Sequence, residues 1–86
     1  PGNMTPIFMT EKLRDTGYGK CVGDDDKHLR LTAIQGREKI VCIGFNLGHK
    51  CDLITDNKYF DAVYSIDENH WQGNVSLQLK LRDIKA

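Results

Sequence analysis

No stretch of this 86-residue chain stays apolar for anything near the roughly 20 residues that a bilayer-crossing helix needs. The N-terminus also lacks the basic-then-apolar pattern of a secretory signal, which argues against a membrane as partner. Cysteine is sparse. Cys21, Cys42 and Cys51 are an odd number with no CxxC pair, so a disulfide framework is not expected. Cys21 and Cys42 stand among strand-like residues, where a free thiol behaves as a small buried hydrophobe, and this usage points to a reducing, cytoplasmic setting. An excess of either charge is missing too: 12 Lys and Arg balance 12 Asp and Glu. That balance removes the simple electrostatic argument for nucleic-acid or anionic-membrane binding, so any such binding must come from local placement of charge. The length allows one domain with one core, too little for a catalytic and a binding domain together. A hydrophobic share of 40% and a charged share of 28% exclude wholesale disorder.

What remains is alternation. Both prolines fall within residues 1–10, which read as a linker or extended lead-in, and the start Pro1-Gly2-Asn3 reads as that of a piece excised from a longer protein. Residues 11–86 read as the domain. A first extended stretch over residues 12–22 is broken by Gly17 and Gly19, glycines of the kind that mark a bulge or sharp bend. Polar turn formers at residues 23–27 precede a second strand over 28–34, with Leu29, Leu31 and Ala33 on one face and His28, Arg30 and Thr32 on the other. A hairpin turn at 35–38 leads to residues 39–45, apolar on both faces and so a central strand.

The period then changes. Leu47, Cys51 and Ile54 have helical spacing, with Asn46 as N-cap, predicting one short helix through about Leu53 that Gly48 weakens and Asp56-Asn57 ends. A fourth strand over 58–66 puts Phe60, Ala62, Tyr64 and Ile66 on one face. Residues 67–74 read as a polar loop carrying Trp71. A fifth strand over 75–84 sends Val75, Leu77, Leu79 and Leu81 inward and Ser76, Gln78, Lys80 and Arg82 outward. This order, all-β with one short helix between strands three and four and a bent first strand, predicts a five-stranded Greek-key OB-fold barrel, with a curled SH3-like sheet as the alternative.

Three stretches, taken in order, resemble the C-terminal OB domain of RecJ, a single-strand-specific 5′-to-3′ DNA exonuclease. The lead-in Pro1-Gly2-Asn3-Met4-Thr5-Pro6-Ile7-Phe8 is similar to that family's PGNPxPxF, with Met4 at a usual proline. Val22-Gly23 followed by Lys27-His28-Leu29-Arg30-Leu31 resembles VG…KHLKL, with Arg30 for lysine. Asn69-His70-Trp71-Gln72-Gly73, then Leu77-Gln78-Leu79 and Asp83-Ile84, resembles NxWNG…LQL…DI, with Gln72 for asparagine. The resemblance implies single-stranded DNA as ligand, upstream nuclease domains of the parent chain as partners, and single-strand-binding protein as a further partner. It also implies that the parent's Asp-His-His phosphoesterase core, with its divalent Mn or Mg, lies upstream of Pro1. No DHH triplet occurs here, and Asp24-Asp25-Asp26 has no histidines at ligand spacing, so catalytic and metal-ligating residues are expected to be absent.

The OB ligand surface is the outer face of strands two and three with the loops joining strands one to two and four to five. That assigns Lys20, His28, Arg30, Gln78, Lys80 and Arg82 to the binding face, where the bland alternative is a solvated surface. Trp71 either stacks on an unpaired base or plugs one barrel end. Tyr18 and Tyr59 are spare stacking candidates, while Phe45, Phe60 and Tyr64 read as core. Asp24–Asp26 would repel phosphate, so either that loop is held off the DNA path or the surface serves another purpose, such as a scaffold for the parent nuclease or a repair partner.

Overall fold

A computed structural model describes residues 5–56 and 58–86. The first four residues of the lead-in, and Asn57 at the end of the helical element, lie outside the described residues. The elements are β1 (Phe8–Asp15), β2 (Lys20–Val22), a 3-10 turn (Asp24–Asp26), β3 (His28–Gln35), β4 (Glu38–Gly44), a 3-10 segment (Gly48–Ile54), β5 (Phe60–Trp71) and β6 (Asn74–Lys85). β1 therefore starts inside the stretch read as lead-in.

The strands close into a ring. β1 pairs with β5 and β3, β5 with β6, and β4 with β3, all antiparallel, whereas β4 and β6 run parallel. The parallel pair cannot be joined by a hairpin, so the chain crosses over through the 3-10 segment and β5, giving the expected OB-like fold. β1 and β2 are two halves of the predicted first strand: both pair with β3, β1 at Ala33 and Ile34 and β2 at His28, Leu29 and Arg30. The break between them is built on Asp15. One carboxylate oxygen accepts the Gly17 N–H at 2.9 Å and the Gly19 N–H at 2.8 Å. Gly17 has φ 108°, open to glycine, and a Cβ on Gly19 would lie 2.7 Å from both Asp15 Oδ1 and Ile54 Cδ1.

Alternation sets the core on β3, where Leu29, Leu31 and Ala33 are buried, and on β4, where Cys42 is fully buried. Burial pushes the Cys42 thiol up to about 12, so it behaves as a hydrophobe. On β6 the inward run Leu79, Leu81 and Ile84 changes parity, because Val63 pairs with Asp83 but Tyr64 with Leu81. A bulge at Arg82 absorbs the extra residue.

The 3-10 segment starts at Gly48 rather than at an Asn46 cap, since Asn46 adopts φ 62° and its side chain caps nothing. Gly48 is required there: a Cβ would sit 1.8 Å from the Asp26 carbonyl oxygen, and its N–H donates to Lys27 O at 2.8 Å. Leu47 and Ile54 are buried beneath, and Lys50 bonds Asp83 and donates to Ile84 O at 3.0 Å, tying the segment to β6. The Lys50 ammonium holds the Asp83 carboxyl below its ordinary range.

Two expectations are overturned by one feature. Residues 67–74 are not a loop: β5 and β6 continue past the ring as a hairpin, paired through Trp71 and Asn74 around a Gln72-Gly73 turn with φ 47° and 79°. Two successive positive φ angles mark the tight turn whose twist suits paired strands. Because the hairpin runs beyond the barrel, Val75 and Leu77, read as inward, are about half exposed, as is Ile66 at the barrel mouth.

Candidate nucleic-acid interface

Direct cross-strand partners share a sheet face, so the register shows which side chains meet. Lys20 on β2 pairs with Arg30 on β3, Arg30 with Ile43 on β4, and Ile43 with Lys80 on β6. The predicted residues Lys20, Arg30 and Lys80 thus form one row across four strands. At about 4.8 Å per strand the row spans about 14 Å. The adjacent row is Thr32, Val41, Gln78 and Asp67. Among the described residues none of Lys20, Arg30, Lys80 or Arg82 forms an ion pair, since the recorded pairs are Lys50–Asp83 and Glu68–His70.

Between the cations runs an apolar strip. Val41 and Ile43 alternate with the buried Cys42 and so face outward from β4, and Phe45, just past the strand's end and read as core, is 55% exposed. The Lys80 ammonium lies 6.0 Å from the Phe45 ring centroid, and the His28 ring meets Phe45 edge-on at 5.3 Å. Sequence reasoning missed Phe45 because β4 is apolar on both faces. Lys39, in step with 41, 43 and 45, was the signal that the odd-numbered face points out. Tyr18, 87% exposed, borders a cleft of about 160 Å³ with Lys20, Arg30 and Thr32.

His28 is positioned rather than free. Its Nδ1 accepts the Asn46 N–H at 3.0 Å, which leaves the proton of the neutral ring on Nε2, and Gly23 packs against it so closely that a Cβ would lie 2.8 Å from Cδ2. Arg82 is exposed at the β6 bulge, off the row. Trp71 is 68% exposed and so plugs no barrel end. The pairs Lys80–Ser65, Gln78–Asp67, Ser76–Asn69 and Asn74–Trp71 put it on the same face as Gln78 and Lys80, six residues further along β6 from Lys80.

Two acidic features border this face. Asp67 stands opposite Gln78, and Asp24–Asp26 form the exposed 3-10 turn, whose last residue lies with its backbone against Gly48 at the barrel end. On the other face of the hairpin, Ile66, Val75 and Leu77 are continuous with the ladder to Tyr64, on which Phe8 stacks at 6.0 Å. Among the described residues no three His, Cys, Asp or Glu side chains are grouped to hold a metal ion, and no helix is long and apolar enough to cross a membrane.

No curated protein matches the chain. A family model described as the RecJ OB domain matches residues 1–83, which takes in every strand up to β6 and all the face residues named above. Ring topology, bent first strand and family match agree, and the chain belongs to the RecJ OB domain family.

Proposed function

We propose that this domain binds single-stranded DNA across the outer face of β2, β3, β4 and β6, serving as the grip of a cytoplasmic single-strand-specific exonuclease whose chemistry resides in other domains. The observation that carries this reading is the register row Lys20–Arg30–Ile43–Lys80, cations without an ion-pair partner among the described residues, interrupted by an apolar strip. Phosphates would track the cations, and unstacked bases would rest on Val41, Ile43 and Phe45, with Trp71 and Tyr18 as outlying platforms. Stacking tolerates any base, being worth about 1–3 kcal/mol each, so the mode is not sequence-specific. The Gly48 N–H bonds Lys27 O and the Asp26 backbone lies against Gly48, so the end of the acidic turn is seated at the barrel end, which supports a path along the strands rather than over that turn.

The test is fluorescence anisotropy of labelled oligonucleotides with the 86-residue chain. Binding to single strands, weaker for duplex and lost in the Lys20→Ala/Arg30→Ala/Lys80→Ala triple variant, supports the reading. Absence of single-strand binding at low salt overturns it.

A second reading is favoured by one observation. The hairpin face of Ile66, Val75 and Leu77, exposed by 46%, 56% and 54%, is an apolar patch of the kind that packs on another domain or protein. It supports a scaffold role toward the parent nuclease domains, or docking of a partner such as single-strand-binding protein, on a face distinct from the cation row.

A further inference from the structure

At the barrel end covered by the 3-10 segment, a cleft of about 660 Å³ is lined by two free cysteines, Cys21 of β2 and Cys51 of the segment. The Cys21 Sγ donates to the Gly48 carbonyl at 3.3 Å. Gly48 opens the 3-10 segment that carries Cys51 three residues on, one turn of such a helix, so this bond seats Cys21 against the turn on which Cys51 stands. The two cysteines thus line one cleft from elements distant in sequence. Cys42 is excluded from this chemistry by full burial.

We propose that Cys21 and Cys51 form a reversible intramolecular disulfide that clamps edge strand β2 to the 3-10 segment. With a peroxide as oxidant, one thiolate attacks the O–O bond, forming a sulfenic acid and releasing hydroxide. The second thiolate attacks that sulfur, forming the S–S bond and breaking S–O, so two thiols and one hydrogen peroxide yield one disulfide and two waters. A low-molecular-weight thiol reverses it by exchange. The neighbouring Cys51 thiol, then burial, pushes the Cys21 thiol up to about 11, so Cys21 reacts slowly at neutral pH and faster as pH rises. Asp26 and Asp52 act in the same direction. Asp25, Lys27 and His49 are the other charged or titratable groups facing the cleft.

The clamp acts on a short edge strand. β2 has three paired residues and β3 as its strand neighbour, and it carries Lys20 at one end of the cation row. Closing the loop from Cys21 to Cys51 removes entropy from the unfolded chain, and should raise Tm by about 15 °C.

The experiment is treatment of the folded chain with hydrogen peroxide at pH 7 and pH 9, followed by non-reducing peptide mapping and thermal melting. A Cys21–Cys51 link with Cys42 still free, formed faster at pH 9, with higher Tm reversed by dithiothreitol, is the expected result. Cys51→Ser should form no intramolecular link. A link to Cys42, disulfide dimers, thiols still free after treatment at pH 9, or a lowered Tm would each overturn the proposal. No nucleic acid enters this test, so its outcome is independent of the binding reading.

Discussion

Removing the Arg30 guanidinium should change the salt dependence of binding more legibly than binding itself. Arg30 sits between Lys20 and Ile43 in the row and is exposed, so Arg30→Ala should shift stability by no more than about 0.5 kcal/mol. For single strands, log K falls with log salt at a slope of about −0.7 per phosphate neutralised. Three row cations give a slope of about −2.1, an 18-fold loss of affinity between 50 and 200 mM salt. A fourth contact from Arg82 would steepen the slope to about −2.8. Arg30→Ala should flatten the slope by about 0.7, leaving about a 7-fold loss over the same range if three cations act. Arg30→Lys keeps the charge and hence the slope, but loses affinity if the planar guanidinium pairs bidentately or stacks. The assay is anisotropy of a labelled single-stranded oligonucleotide at four or more salt concentrations, with melting curves as a control for folding. An unchanged slope in Arg30→Ala, with wild-type Tm, would refute the assignment of phosphate tracking to this row.

Other perturbations separate binding from folding. Trp71→Ala should leave Tm within a degree or two, because the side chain is 68% exposed, yet weaken oligonucleotide binding by about 5-fold or more if it carries one base stack. Gly48→Ala should cost about 2–3 kcal/mol by denaturant unfolding, because the new Cβ meets the Asp26 backbone oxygen rather than a movable side chain. Lys50→Met should cost about 0.5–1 kcal/mol, the pair being partly exposed, and lower Tm by about 4 °C. The Asp83 carboxyl is held below its ordinary 3.8 in the folded chain, so its contribution is present above that pH and is lost as pH falls through the lowered value. The Tm difference between wild type and Lys50→Met should therefore shrink below pH 3.8.

Where alternation met a one-sided environment, the residues declared their places. Leu29, Leu31 and Ala33 against His28, Arg30 and Thr32 settled β3, and the register then aligned Lys20 and Lys80 beside Arg30. β4 resisted the same treatment because Val41, Ile43 and Phe45 are as apolar as Ile40 and Cys42, and periodicity carries no direction when both faces match. The hairpin was hidden by its own exposure: Asp67 to Asn74 is polar because it leaves the ring, and a polar run containing glycine reads as loop. The parity change at Arg82 and the carboxylate-built bend at Asp15 depend on pairing partners distant in the chain, which local pattern does not contain. Gly48, which weakened the helix reading, proved to be a close-approach glycine for the same long-range reason.

The most direct test of the cation row is an amide and side-chain NMR titration of the chain with a short single-stranded oligonucleotide. The binding account predicts shifts centred on Lys20, Arg30, Ile43, Phe45, Gln78 and Lys80, extending to Trp71. Shifts confined to Ile66, Val75 and Leu77 on the opposite hairpin face, or no shifts at low salt, would contradict it.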